Sequence, residues 1–428
     1  MSVVVEDPVA DRVQKWLGDI PSGWSGVRLF EVADAWTSNV DKHTVEGQPS
    51  VRLCNYVDVY KNASIVGSLD FMAATATREQ IRKFRIRRGD TLITKDSETA
   101  DDIGVPAFVE YEANDLICGY HLAIVRPFTG RVVPKFLYWA LGSEPIARQW
   151  GVIAAGVTRV GIRSTDLNKV TIPLPTLGEQ RAIADYLDQE TAQIDALVAK
   201  QEEFVGLLRE RRSRAREVLA DRVNHGERLR WFLSEIDHRA GTRAVDLPLL
   251  SVSIDWGVRR REETTEKLSR AEDLGHYKSC LKGDIVVNRM RAFQGALGVA
   301  PEDGVVSPDY AVLRVASAVD SDWLSELMRT KAFVGEIILR LRGIGGMDSG
   351  NVRTPRINTS DLLKIRANVP DEDIQRTELT NLVAETAQID ALITRAEEHI
   401  TLAKERRAAL ITAAVTGQFD VRTARKAA

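Results

Sequence analysis

The octapeptide Glu-Thr-Ala-Gln-Ile-Asp-Ala-Leu occurs twice in the chain, at Glu190–Leu197 and again at Glu385–Leu392, 195 residues apart. A perfect match of that length marks an internal duplication. Its register extends well beyond the octapeptide. Upstream, Pro175 pairs with Pro370, Gln180-Arg181 with Gln375-Arg376, Leu187 with Leu382, and Asp166-Leu167 with Asp361-Leu362. Downstream, Glu210-Arg211-Arg212 pairs with Glu405-Arg406-Arg407, and no gap is needed from Ile162 to Arg212. A chain built this way folds as two copies of one plan, each a variable segment followed by a strongly repeated one.

The repeated segments read as long helices. The first is predicted from Thr176 to Asn224: Pro173 and Pro175 stop whatever precedes it, and Thr176 with Glu179 has capping-box spacing. At 1.5 Å per residue such a helix is about 65–70 Å long. The second is predicted from Pro370 to Val415, with Gly417 as a C-terminal cap. One heptad row holds Leu187, Ile194, Gln201, Leu208 and Ala215, and a second row is read three residues on, through Leu197, Phe204, Arg211 and Val218. The other copy gives Leu382, Ile389, Ala396, Ala403 and Leu410, with Leu392, His399, Arg406 and Ala413 beside them. Gln201 and Arg406 on such a seam fix register in a two-helix coil. The expectation is an antiparallel helix pair; the plainer alternative is that each helix caps only its own globular segment.

The intervening segments are β-rich. Val51–Leu53, Asp90–Thr94, Ala107–Val109 and His121–Val125 read as strands, followed by a helical stretch Pro134–Leu141. The second variable segment repeats that order with Leu249–Ile254, Asp284–Val287, Tyr310–Leu313 and a helix around Trp323–Leu327. The two share a plan but little sequence, as one fold performing two different recognition tasks would. The resulting division is 1–172 and 225–368 globular, 173–224 and 369–416 helical, and 417–428 a C-terminal tail.

Composition narrows the functional classes. Charged residues are 28% and hydrophobic ones 44%, ordinary for a soluble globular protein. No apolar run approaches the ~18–20 residues of a membrane span, and the start of the chain lacks the basic-then-apolar order of a signal peptide. The three cysteines (Cys54, Cys118, Cys280) have no metal-like spacing and read as reduced thiols of a cytoplasmic protein. A net charge of −3 argues against coating nucleic acid by charge alone, though not against local basic patches. Catalytic and cofactor signals are missing: there is no phosphate-loop motif, no HExxH, no adenine-methylation motif, and the six histidines form no metal spacing. The glycine-rich stretch Gly343–Gly346 reads as a loop rather than a nucleotide site.

Polar and basic side chains cluster just past two of the β-runs. Gly89–Thr99 leads from a strand into a polar loop carrying Lys95, and Lys282–Arg291 is its counterpart, with Asn288, Arg289, Arg291 and Gln294 as the densest set. These residue types read base edges or hold phosphates. Two basic runs, one with Lys83 and Arg85 and the other with Arg259 and Arg260, are candidates for phosphate contact. For each run taken alone, a solvated surface is the commoner reading.

The opening Pro175-Thr176-Leu177-Gly178-Glu179-Gln180-Arg181 and the Gln-Ile-Asp-Ala-Leu core resemble the specificity subunit of type I restriction–modification systems. Ile20-Pro21-Ser22-Gly23-Trp24 resembles the start of that family's recognition domains, and Gly89–Thr99 with Gly119–Leu122, and Lys282–Arg291 with Val306–Tyr310, resemble their bodies. The resemblance implies an α/β (α+β) fold: two target-recognition domains separated by two long antiparallel helices, with pseudo-twofold symmetry. It implies a non-catalytic subunit that binds a bipartite, asymmetric double-stranded DNA target and docks two methyltransferase (M) subunits, with restriction (R) subunits as further partners. Methyl donor and ATP would belong to those partners. The docking residues it points to are Gln180, Arg181, Ile194 and Leu197, and their mates Gln375, Arg376, Ile389 and Leu392. The second copy departs from the family opening, since Ile374 stands where Glu179 stands in the first. The competing reading is a coiled-coil protein-binding adaptor without DNA specificity.

Overall fold

The computed structural model describes residues 8–264, 274–341 and 355–424, so the glycine-rich stretch Gly343–Gly346 lies outside the described residues. Two compact units emerge. One comprises residues 1–200 with 399–428, the other residues 201–398. Each therefore holds one variable segment and one half of each repeated helix.

In the first unit a five-stranded sheet runs in the order Ala33–Thr37, Leu122–Pro127, Thr91–Thr94, Pro106–Val109, Ser64–Ile65, antiparallel except for the last pair. Its central strand, Thr91–Thr94, is buried at every position. Both faces are covered: Leu92 lies in one core and Ile93 in another, so apolar residues stand side by side instead of alternating with polar ones. The helix Pro134–Leu141 packs on one face with Phe136, Leu137 and Trp139 in the same core as Ile93 and Val125. A smaller sheet of Met72–Thr75, Ser50–Cys54 and Leu116–Cys118 surrounds a second core.

The second unit repeats the arrangement with Leu233–Ile236, Tyr310–Val315, Ile285–Asn288 and Leu297–Val299, all antiparallel. Its helix Ser321–Met328 buries Trp323, Leu324 and Leu327. Strand for strand this is the first sheet without its fifth member. In place of the smaller sheet stand two pairs, Leu250–Ser253 with Gly257–Arg260 and Lys278–Cys280 with Gly304–Val306.

A two-residue signal that both segments share, Gly-Asp before the central strand, proves structural. Gly89 and Gly283 have φ of +92° and +90°, the left-handed region that a Cβ disfavours. The following aspartate is buried. Asp90 accepts from the Arg87 backbone N–H at 2.8 Å and takes both arms of Arg126 at 2.8 and 2.7 Å. Asp284 does the same with Leu281 at 2.8 Å and Arg314 at 2.6 and 2.9 Å. Each is a bidentate, charge-assisted pair that ties the start of the central strand to its neighbour.

The long helices span Leu177–Arg216 and Glu372–Val415. The first stops short of the predicted Asn224. Residues Glu217–Arg222 form a 3-10 turn instead, because Leu219 drops into the second unit's core and strand Val223–Arg228 must begin, with Asn224 at φ 66°. The expected capping box is present: Thr176 N donates to Glu179 Oε2 at 3.1 Å and Glu179 N to Thr176 Oγ1 at 3.4 Å.

Within each unit the halves of the helices pack together and run antiparallel. Ile183 and Leu187 share the first core with Ile411 and Ala414, and Ala215 and Leu219 share the second with Leu379 and Leu382. The first heptad row is as predicted, but the second lies one residue further on. Leu197, Phe204 and Val218 are exposed by 51%, 42% and 70%, while Thr191 and Val205 are buried. The seam thus alternates three and four residues through Leu187, Thr191, Ile194, Val198, Gln201, Val205, Leu208 and Arg212, the spacing that keeps one stripe facing a partner helix. Arg406 is exposed, and its neighbour Arg407 takes the seam position.

That shift brings out a reciprocal contact. Arg407 Nη2 donates to Asp195 Oδ2 at 3.2 Å in the first unit, and Arg212 Nη2 donates to Asp390 Oδ2 at 3.2 Å in the second. Asp195 and Asp390 are the same residue of the repeated octapeptide, and Arg212 and Arg407 the same residue of the repeated Glu-Arg-Arg. A self-complementary surface repeated in one chain must pair this way, i with j and j with i. Among the described residues no helix is long and apolar enough to cross a membrane.

Candidate nucleic-acid interface

The repeated frame holds the two variable loops at one equivalent place. Ile162 N donates to Lys95 O at 2.8 Å, and its mate Ile357 N donates to Arg289 O at 3.1 Å. Lys95 and Arg289 each follow the central strand of their sheet directly. The first residues past the two central strands, one basic side chain in each unit, are therefore fixed by the same residue of the duplicated segment.

In the first unit Lys95 is not alone. Its Nζ lies 3.1 Å from Asp96 Oδ2 and 4.5 Å from the centre of the Tyr120 ring. His121 Nδ1 meets the same Asp96 oxygen at 2.8 Å, and Tyr120 and His121 stack edge to face at 4.7 Å. Asp96 thereby orients two donors and fixes the outer edge of the imidazole, while Tyr120, 48% exposed, presents a flat face. Lys83 and Arg85 are not brought to this cluster. They precede the central strand, whereas Lys95 follows it. Lys83 is exposed with its ammonium 5.4 Å from the Phe84 ring, and Arg85 donates to Asn114 Oδ1 at 3.0 Å.

In the second unit the expected set divides. Arg291 and Gln294 are exposed on the turn after the strand. Arg289 lies half-buried, its Nε donating to Asp309 O at 2.7 Å. Asn288, expected among the base readers, is instead buried, and its Oδ1 accepts from Met290 N at 3.2 Å. That side chain caps the turn that presents Arg289 and Arg291. Arg259 is exposed, 5.7 Å over the Trp256 ring. Arg260 is engaged by Glu302, which takes both its Nε and Nη2 at 2.6 Å. That pairing raises the arginine's pKa and lowers the carboxylate's, and leaves Arg260 poorly placed to meet a phosphate.

The helix residues also sort by burial. Gln180 and Gln375 are not on an open face: both are buried, Gln180 bridging Val133 N at 2.7 Å and Pro175 O at 2.8 Å, Gln375 bridging Asp320 N at 2.8 Å and Pro370 O at 2.7 Å. Each locks the start of its helix to its own unit. Ile194 and Ile389 lie buried in the seam. Arg181, Arg376, Leu197 and Leu392 are exposed, and so are a further matched pair, Leu207 and Leu402, at 57% and 60%.

Reading the chain as a sequence missed Tyr120, His121 and Trp256. Their signal was an aromatic or imidazole beside a strand end, which is too common to single out without the contacts. What the assembled side chains offer is hydrogen bonding, charge and stacking. The three cysteines are buried, and burial pushes the Cys280 thiol up to about 12 and those of Cys54 and Cys118 well above the ordinary range, so none is a poised nucleophile.

The family model of the type I restriction modification DNA specificity domain matches residues 21–203. A putative type I restriction enzyme MjaX specificity subunit of Methanocaldococcus jannaschii is 27% identical over 176 residues, 40% of this chain and 40% of that protein. The match thus spans less than half the length of that curated relative. A solved structure described as the structural basis underlying complex assembly and conformational transition of the type I R-M system has the same fold, with a TM-score of 0.61 at 18% identity over 94% of this chain and 100% of its own. The crystal structure of the HsdS subunit from Thermoanaerobacter tengcongensis aligns over 94% of this chain and 98% of its own at 19% identity and a TM-score of 0.46.

Proposed function

We propose that this chain, which through residues 21–203 belongs to the type I restriction modification DNA specificity domain family, is the sequence-reading subunit of a type I restriction–modification complex. Each unit reads one half of a split, asymmetric duplex target. The helix pair sets the unspecified gap and docks two methyltransferase subunits, with a restriction subunit joining in a larger complex. The chain performs no chemistry itself, and the complex works in the cytoplasm.

The observation that carries this reading is the pair of equivalent hydrogen bonds, Ile162 N to Lys95 O and Ile357 N to Arg289 O. They present two chemically different polar loops from one repeated frame. Different loops on one frame are what two half-sites of unlike sequence call for. The matched exposed leucines, Leu197 with Leu392 and Leu207 with Leu402, support docking of two like partners, because a duplicated apolar surface receives the same partner twice.

The test is a genome-wide map of methylated adenines in cells with and without the gene. Loss of one split, asymmetric motif on deletion is the expected outcome, and an unchanged map overturns the proposal. Removing one heptad from both helices should then move the preferred gap between the half-sites; an unmoved gap refutes the spacer role.

A further inference from the structure

The second unit holds a cleft of about 770 Å³ between the hairpin around Trp256, the helix Lys331–Leu339 and the long-helix stretches of that unit. Six cationic side chains line it. Three have carboxylate partners: Arg209 with Glu397, Arg212 with Asp390, and Arg216 with Glu326. The other three are Arg259, Lys331 and Arg329. Arg259 and Lys331 are exposed, and among the described residues no carboxylate pairs with either. Asp255 is the one lining carboxylate left to set against them.

Arg329 is the unusual member. Its side chain is 8% exposed, and its nearest carboxylate, Glu326 at 3.9 Å, already takes the Nε of Arg216. Nη2 ties down the hairpin by donating to the carbonyls of Ile254 and Asp255. That contact explains one arm of the fork. Among the described residues Nη1 has only the distant approach to Glu326 Oε1. A buried cation that shares a distant counter-ion with a second arginine is costly, and burial, then the neighbouring Arg216, draws the Arg329 pKa down to about 10, against the opposing pull of Glu326. The first unit builds no such corner. Where Arg329 caps the helix Ser321–Met328, Gly142 caps the equivalent helix Pro134–Leu141, and where Arg216 stands on the repeated helix, its mate is Ile411.

We propose that this cleft is a phosphate-binding site, anchored by Arg329 and completed by Lys331 and Arg259. A planar guanidinium fork with a spare arm suits phosphate oxygens, and two exposed cations at the mouth supply attraction without blocking entry. Gln294, beside the exposed Arg291 on the loop after the central strand, lines the same cleft. The site therefore adjoins the second unit's reading loop, and a backbone phosphate of the bound duplex is its natural occupant. Only that choice of source rests on the DNA-reading function proposed above; a free phosphate or pyrophosphate carries the same chemistry.

The experiment compares full-length protein with the Lys331→Ala, Arg259→Ala and Arg329→Gln variants. Duplex affinity is measured across KCl concentration, and melting temperature is measured with and without sodium pyrophosphate. If duplex phosphate occupies the cleft, Lys331→Ala and Arg259→Ala each make the slope of log affinity against log salt shallower by about 0.9, and pyrophosphate competes with the duplex. If a free anion is the ligand, the slopes stay equal, but pyrophosphate raises the melting temperature of the wild type and fails to raise that of the variants. Equal slopes together with equal pyrophosphate response in all variants overturn the site. Arg329→Gln adds the anchor; should it fail to fold, the two exposed variants still decide. A wild type indifferent to target sequence, with the variants still separating on slope or on pyrophosphate, would reject the DNA-reading function and leave the phosphate site standing.

Discussion

The two sheets of this protein start from the same turn and end in different chemistry. Both enter the central strand through a left-handed glycine and a buried aspartate clamped by an arginine of the neighbouring strand, 36 residues on for Asp90 with Arg126 and 30 for Asp284 with Arg314. Both leave it through a loop fixed by the same isoleucine of the repeat. Beyond that point the first unit presents Lys95, His121 and Tyr120 gathered on Asp96, and the second presents Arg291 and Gln294 on a turn capped by Asn288. The frame is conserved between the halves where burial and hydrogen bonding demand it, and it varies where side chains reach solvent. A duplicated chain can acquire two specificities this way without redesigning its core.

The largest effect should come from breaking the shared turn. Asp90→Ala strands Arg126, whose side chain is 23% exposed, and should cost about 3–5 kcal/mol in chemical denaturation, the usual loss for half of a buried pair. Asp284→Ala should cost less, because Arg314 is 42% exposed and water can take over its donors. Equal losses would mean that burial of the arginine is not what distinguishes the two clamps.

Specificity comes next. Arg291→Ala should weaken binding through one half-site by about 1–3 kcal/mol and leave the other untouched, if it makes a bidentate base contact. His121→Ala should do the converse. Competition between duplexes scrambled in one half or the other reads both, and a uniform loss across all sequences would reassign the residue to backbone phosphate.

The reciprocal ion pairs of the helices should matter least to stability. Arg212→Ala and Arg407→Ala should each cost about 0.2–1 kcal/mol, and by similar amounts, since both pairs are partly solvated. Exchanging Asp195 and Arg407 should restore most of the loss; no recovery would show that the pair does not contribute by charge. Finally, the thiols of native protein at pH 8 should resist a thiol reagent. Each folded-state pKa lies above its ordinary value, so the reactive thiolate appears only at still higher pH or on unfolding, and rapid labelling of Cys280 in the first minutes would contradict its burial.

Much of this is legible in the sequence. The duplication, the two long helices, the two central strands and the helix Pro134–Leu141 all follow from repeats, proline stops and apolar runs, which are local signals; edge strands such as Ala33–Thr37 and Leu233–Ile236 do not stand out that way. The second heptad row was misplaced by one residue because exposed Leu197, Phe204 and Val218 mimic a seam when only spacing is counted. Gln180 and Gln375, which recur in the repeat, stand among the docking residues that the family resemblance points to. They recur because each satisfies buried backbone groups at the head of its helix. Repetition marks constraint, and an interior hydrogen bond constrains as firmly as a partner does.

Two copies, the residues they share, and their long helices and central strands are readable from the chain alone, because those depend on periodicity and on residues near in sequence. Which polar side chains stay free is a matter of packing between distant parts of the chain. Asn288 is drawn inward to cap a turn and Arg260 is held by Glu302, whereas His121 is gathered with Lys95 and Tyr120 by Asp96, and Arg329 lies in a cleft sharing Glu326 with Arg216. The partner that satisfies or fails to satisfy a polar group commonly lies tens of residues away along the chain, so whether the group remains available to a ligand is settled by packing alone.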